Sequence, residues 1–245
     1  MLTDLTGVLN SMSITFLETT PTILALIDPA QIPTLTSVYS SGEALTVAVR
    51  DKFTGHVNER RSAPLRLGNG GAPTEATVMS AFTIIQPNDD PRTFGRPFGG
   101  NRLYVLNALK ELCPTGAVGQ LWIGGDQVTL GYLGRPDLTE KAFHPDQFRD
   151  DGEAGRMYNT GDLCSWTGDG QLLHLGRADS QVKIRGQRIE TAEVESVVRE
   201  YPHVVDARVL KQSIDGKEML VAFVVIEVNF CPNTWNNFSP STLSF

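Results

Sequence analysis

Apolar positions along the chain fall in short bursts whose period changes from one region to the next. Residues 14–17 read as a strand, and Thr20-Pro21 then supplies a helix cap and first-turn proline ahead of Ile23, Leu24, Leu26 and Ile27 at helical spacing. The strand signal returns at 35–39. Ser40-Ser41-Gly42 turns the chain, and Leu45, Ala48, Val49 and Phe53 mark the buried face of a second helix. Alternation of this kind predicts a parallel sheet. Further on, short strands at 103–106, 121–123 and 172–175 are separated by Gly and Asp turns, which predicts a mostly β region beside the α/β layer.

After Gly176 the chain turns basic, with Arg177, Lys183, Arg185 and Arg188. A helix then carries Val194, Val197, Val198 and Tyr201 on one face, with Thr191 as its cap. Strands at 204–210 and 219–226 follow, joined by a turn at Asp215-Gly216. The expected organisation is a partial large subdomain over 1–176, a hinge near Arg177 to Asp179, a partial small α+β subdomain over 177–227, and a disordered polar tail over 228–245.

Composition narrows the function classes. The 21 basic and 28 acidic residues give a net charge of −7, which argues against a nucleic-acid-binding domain. The longest apolar run, 219–226, is too short to span a bilayer, so no membrane role is expected. Cys113, Cys164 and Cys231 are odd in number and widely spaced, which suits a reducing compartment. With no signal-peptide anatomy before Arg50, a cytoplasmic chain is expected.

Three motifs could carry chemistry. Gly68-Asn69-Gly70-Gly71-Ala72-Pro73-Thr74-Glu75 could cradle a phosphate, with backbone N–H groups and the Thr74 hydroxyl as donors and Glu75 as a hard oxygen ligand for Mg²⁺. Read locally, the first reading is a structural turn. In Tyr158-Asn159-Thr160-Gly161-Asp162, the carboxylate follows a tight turn and could accept from a ribose diol or stabilise its own turn. The stretch from Gly176 to Gly186 could line an anion cleft or guard an edge strand. His56, His144, His174 and His203 lack metal-ligand spacing and read as satisfied core or surface residues.

The order and spacing of these motifs resemble AMP-forming adenylate-forming enzymes, most closely the amino-acid adenylation domains of nonribosomal peptide synthetases. The resemblance covers roughly residues 12 to 227. It also includes Ser41-Gly42-Glu43-Ala44-Leu45, Gly95-Arg96-Pro97, Leu121-Trp122-Ile123-Gly124-Gly125, Gly131-Tyr132-Leu133 and Gln181-Val182-Lys183-Ile184-Arg185-Gly186-Gln187-Arg188-Ile189-Glu190. It implies a ligase of secondary metabolism in which a substrate carboxylate attacks the α-phosphorus of ATP. Pyrophosphate leaves, and the phosphopantetheine thiol of a peptidyl carrier protein later takes the aminoacyl group. Asn69, Gly70, Thr74, Asp162 and Arg177 would bind the nucleotide, with Thr74, Glu75 and Arg177 catalytic and Glu75 on Mg²⁺. The amino-acid pocket would be lined by Glu18, Tyr39, Ser41, Gly70, Val78 and Met79. Asp179 would be the hinge, Gly186 would border the thiol channel, and neighbouring synthetase domains would be partners.

The chain departs from the pattern at Gly71 and Ala72, where an aromatic residue and a glycine are usual, removing a surface on which adenine would stack. Gln120 and Leu130 replace a common glutamate and arginine. The family's phosphate loop and amine-gripping aspartate would precede residue 1, and its terminal lysine is missing. The chain therefore reads as a fragment, inactive in isolation. The alternative is a catalytically silent remnant or interaction module that keeps only the fold.

Overall fold

The computed structural model describes residues 4–56, 63–71, 73–149, 155–184, 187–214 and 217–227. Two compact units divide between Asp179 and Ser180.

The first unit begins with α1 (Leu5–Ser11), β1 (Phe16–Thr19), α2 (Pro21–Leu26), β2 (Ser37–Ser40), α3 (Val47–Phe53) and β3 (Arg66–Asn69). The three strands pair in parallel, Glu18 opposite Tyr39 and Tyr39 opposite Gly68, as the strand and helix alternation predicts. The helices are short and locally specified. In α3 the Thr46 hydroxyl accepts from the Val49 N–H at 3.2 Å, Arg50 and Lys52 stand in the last turn, and Val49 and Phe53, one turn apart, are both buried. They close on Leu24, Ile27, Leu35, Val38 and Leu67 to form one apolar core. Each such burial contributes roughly 1.5–3 kcal/mol against chain entropy.

Beyond β3 the sheet changes character. After a 3-10 turn at Thr74–Ala76, Thr77 and Val78 take left-handed φ values of 53° and 66°, and the chain returns antiparallel as β4 (Ala81–Ile85). β-branched residues in that region cost on the order of 1–3 kcal/mol each. The Thr77 hydroxyl, which donates to the Gln127 carbonyl at 2.7 Å, helps hold the reversal. β5 (Thr93–Pro97), β6 (Arg102–Leu106), β7 (Gly119–Gly124), α4 (Pro136–Ala142), β8 (Phe143–Pro145), β9 (Arg156–Trp166) and β10 (Leu172–Arg177) complete the unit. Among the described residues they form one ten-stranded sheet ordered β1-β2-β3-β4-β5-β10-β9-β7-β6, with β8 paired to β9.

The second unit contains β11 (Gln181–Ile184), β12 (Gln187–Glu190), α5 (Thr191–Arg199), β13 (Val204–Ile214) and β14 (Lys217–Ile226). Its core joins Val194 and Val198 of α5 to Ala207 and Val209 of β13. Two details differ from the sequence reading. Thr191 is the first helical residue rather than the cap, and its buried hydroxyl donates to the Ser180 carbonyl at 3.0 Å. Val197 is exposed and Tyr201 lies past the helix end, because the nine-residue helix presents only a narrow stripe to two strands. In β14, Phe223 and Val225 face solvent.

Gly186, Arg185, the Asp215-Gly216 turn, Cys231 and the tail from 228 onward lie outside the described residues. Cys113 and Cys164 are free thiols, and burial pushes the Cys164 thiol far up, with the Asp162 carboxylate adding to the shift. Among the described residues no helix is long and apolar enough to cross a membrane.

Candidate functional site

The glycine-rich turn leaves β3 at the point where parallel pairing ends. A Cβ at Gly70 would collide with the Ala81 carbonyl oxygen and stand 3.1 Å from the Tyr39 hydroxyl, so only glycine lets β3 and β4 diverge here. Asn69 is buried, and its amide donates to the Pro91 and Thr93 carbonyls at 3.1 and 2.8 Å. Thr74 is exposed, and its hydroxyl is unpartnered among the described residues. Glu75 is buried, and its Oε1 accepts the Tyr132 hydroxyl proton at 2.7 Å. No group of three or more His, Cys, Asp or Glu side chains suited to a metal exists among the described residues. A lone fixed carboxylate fits Mg²⁺ held chiefly by substrate phosphates and water, not an all-protein cage.

Asp162 sits within β9, not after a tight turn. The strand runs through Gly161, whose φ of 75° re-aims the backbone. The Asp162 side chain does not stabilise its own turn. Its Oδ1 accepts from Arg177 Nη1 at 2.9 Å and lies 3.5 Å from His174 Nε2, while its own N–H donates to the Thr160 hydroxyl at 3.0 Å. Arg177 closes the set by gripping Asp179 through Nε at 2.7 Å and Nη2 at 2.6 Å. Residues three apart on a regular strand point to opposite faces. The pairing register of β10 shifts between His174 and Gly176, and that bulge lets both His174 and Arg177 reach one carboxylate. The Asp162 Oδ2 carries no hydrogen bond among the described residues, and the side chain is 22% exposed.

Two rings connect this acid to the glycine-rich turn. His174 stacks on Phe94 with centroids 4.7 Å apart and planes 16° apart, and a Cβ at Gly71 would sit 3.1 Å from the Phe94 ring. Phe94 thus fills the space into which a side chain at position 71 would project. Neither ring stands out in the sequence. His174 carries no motif, and only the β-bulge beside it turns it toward Asp162. His56 also departs from the satisfied histidine expected, since its Nε2 is buried without a partner among the described residues.

Of the six expected pocket residues, four come together. Glu18 lies beside Tyr39 across β1 and β2, the Ser41 hydroxyl donates to Glu18 Oε1 at 3.3 Å, and Gly70 underlies the Tyr39 hydroxyl. Burial, with Glu18 as a second cause, pushes the Tyr39 phenol well above its ordinary range. Val78, half exposed, and Met79 lie on the strained reversal before β4 and make no side-chain hydrogen bond or ring contact with these four. Asp179 is the last residue of the first unit.

The model of the AMP-binding enzyme family matches residues 2–133. The chain is 38% identical over 230 residues to N-(5-amino-5-carboxypentanoyl)-L-cysteinyl-D-valine synthase of Amycolatopsis lactamdurans, covering 91% of this chain and 6% of the relative. Among solved structures, a four-domain nonribosomal peptide synthetase bound to AMP and glycine is 36% identical with a TM-score of 0.61, over 91% of this chain and 16% of that one. The Vibrio cholerae adenylation domain AlmE, in complex with glycyl-adenosine-5'-phosphate, is 26% identical with a TM-score of 0.75, over 95% of this chain and 45% of that one. The chain thus spans a small part of the length of its synthetase relatives.

Proposed function

The chain belongs to the AMP-binding enzyme family, and from that premise we propose that it supplies the nucleotide-binding and amino-acid-binding walls of an adenylation domain in a nonribosomal peptide synthetase. The proposed reaction joins an amino acid to ATP as an aminoacyl adenylate with loss of pyrophosphate, for transfer to the phosphopantetheine thiol of a peptidyl carrier protein. Mg²⁺ would neutralise the phosphates, with Glu75 as its protein ligand. The observation that carries this reading is the Asp162 carboxylate, fixed by Arg177 through Oδ1 and with Oδ2 unpaired among the described residues. An ionised acceptor already held in place can take a ribose hydroxyl without paying to order itself.

The remaining roles follow from position. Thr74 offers an unengaged hydroxyl at the end of the glycine-rich turn, where phosphate oxygens can approach a backbone stripped of side chains. Arg177 holds Asp162 and keeps a cation beside the ribose. Neighbouring synthetase domains and the carrier protein are the partners this reading implies.

Calorimetric titration of the chain with AMP tests the proposal. Asp162→Ala is expected to weaken binding by about 10- to 100-fold, the worth of hydrogen bonds to a charged group. Binding unchanged in the variant would remove Asp162 from the site and overturn the reading.

A further inference from the structure

The Glu75 carboxylate takes its hydrogen bond from outside the glycine-rich turn. The loop between β7 and α4 touches this residue twice. The Thr129 N–H donates to the Glu75 backbone carbonyl at 2.9 Å, and the Tyr132 hydroxyl donates to Glu75 Oε1 at 2.7 Å. Backbone and side chain of one buried acid are thus held by a single stretch of chain far from it in sequence.

That loop is built around the tyrosine. Leu130 and Leu133 beside it are exposed, so packing of the leucines does not hold the segment. Hydrogen bonds do. The Tyr132 N–H donates to the Thr139 hydroxyl at 2.9 Å, the Thr139 hydroxyl donates to the Arg135 carbonyl at 2.9 Å, and the Arg135 N–H returns to the Tyr132 carbonyl at 3.1 Å. A Cβ at Gly131, where φ is 136°, would collide with the Thr139 side chain, so glycine is what lets the loop close on α4. The Tyr132 ring meets the buried Phe143 of β8 edge-on, with centroids 5.5 Å apart and planes at 74°. Backbone and ring are both fixed, and the hydroxyl reaches Glu75 from that fixed base.

A glutamate side chain has several torsions to lose before it can serve as a ligand. One proton from an anchored phenol arrests that rotation. It uses one of the about four acceptor positions of an ionised carboxylate, and a cation needs only one more. Carboxylates that bind metals are in general hydrogen-bonded themselves, and the partner sets their orientation.

We propose that Tyr132 is a positioning residue: held by Thr139 and Phe143, it fixes the Glu75 carboxylate that Mg²⁺ would share with the phosphates of ATP. The inference rests on the reading of Glu75 as the metal's protein ligand and adds the residue that orients it. Tyr132 acts through Glu75 alone.

Calorimetry on the chain compares three titrations: AMP without metal, ATP with EDTA, and ATP with Mg²⁺. The parent is expected to bind AMP, and to bind ATP more tightly with Mg²⁺ than with EDTA. Tyr132→Phe keeps the ring on Phe143 and removes only the hydroxyl. It should cut the Mg²⁺-dependent tightening about 10-fold, the lower end of the worth of a partner to a ligating carboxylate, and leave AMP binding within about twofold. Glu75→Gln should remove the same tightening, and adding Tyr132→Phe to it should change nothing further, because the two residues act as one unit. A Tyr132→Phe variant with the parent's Mg²⁺ dependence overturns the positioning role. So does one that loses AMP and ATP binding together, since the hydroxyl would then serve the fold. A parent that binds AMP but gains nothing from Mg²⁺ also overturns it and leaves the ribose reading standing. No AMP binding by the parent overturns both.

Discussion

Two side-chain clusters of the large sheet, one around Asp162 and one around Tyr39, treat their polar groups in opposite ways. At the antiparallel end Asp162, Arg177 and Asp179 hold one another, and the Thr160 hydroxyl both donates to the Leu121 carbonyl at 2.9 Å and accepts the Asp162 N–H. Around β2 the Tyr39, Ser40 and Glu43 side chains each leave a buried oxygen without a partner among the described residues, whereas the single atoms left so in the antiparallel part, on Ser80, Asn101 and Gln171, lie outside the Asp162 cluster. Closed networks keep a geometry, whereas open ones wait for something to bind. A closed cluster at the proposed ribose acid and an unmatched one at the proposed amino-acid wall fit the proposed function, in which one part holds a constant ligand and the other a variable one.

The largest expected effect comes from opening a closed network. The Asp146 side chain is wholly buried and accepts from Arg102 at 3.2 Å and from the Tyr104 hydroxyl at 3.2 Å, while its second oxygen takes the Phe148 N–H. Asp146→Ala strands a cation that is two-thirds buried. It should lower the stability of the chain by on the order of 3 kcal/mol in urea unfolding, the lower end of the range for breaking such a pair. A loss within experimental error would show that the antiparallel end is less closed than its distances imply.

A smaller effect, but one of opposite sign at the two ends, separates the regions more sharply. Thr160→Val deletes a hydroxyl with two backbone partners and is expected to destabilise by about 1–2 kcal/mol. Tyr39→Phe deletes a hydroxyl with none among the described residues. It should leave stability unchanged or raise it by up to about 1 kcal/mol, because the desolvated oxygen is removed with nothing lost. Matched urea titrations read both. If Tyr39→Phe destabilises as much as Thr160→Val, the parallel end has a hidden partner and the contrast fails.

Much of the parallel end was legible in the sequence, because strands buried under amphipathic helices leave alternating bursts that survive without neighbours. The first strand was displaced by two residues, with Ile14 packing into the core from the approach to β1 rather than from the strand itself. The antiparallel end was less legible. β5 and β9 are interrupted by glycines at positive φ, Gly95 at 89° and Gly161 at 75°, and the second reads as a tight turn although the strand runs through it. The candidate site divides the same way. Asp162 and Glu75 could be named from motifs, but the Arg177 grip and the His174 approach depend on a register shift that no local pattern encodes, and the Phe94 ring against Gly71 appears only in the packed sheet. Tyr39 could be placed in a pocket by resemblance, yet its unmatched hydroxyl is a property of the packed sheet.

The second unit offers a closed acid of its own, and its expected effect is the smallest. Glu195 of α5 is buried and accepts the Val209 N–H at 3.0 Å, with Arg199 at 3.2 Å and Arg208 at 3.3 Å. The Val209 N–H foremost, then the two arginines, hold its carboxyl below the ordinary glutamate value. A depressed folded value means the stabilisation is complete above the unfolded glutamate value of about 4.3 and is lost as the pH falls through the lower folded one. Hydrogen exchange at the Val209 amide of the full chain should therefore stay protected from neutral pH to about pH 4, after correction for intrinsic rates, and lose protection below it. In Glu195→Gln the amide should exchange faster at neutral pH and show no added loss below pH 4. A pH dependence unchanged in the variant would mean that the titrating group is another acid, and that the carboxylate on Val209 is not what closes this unit.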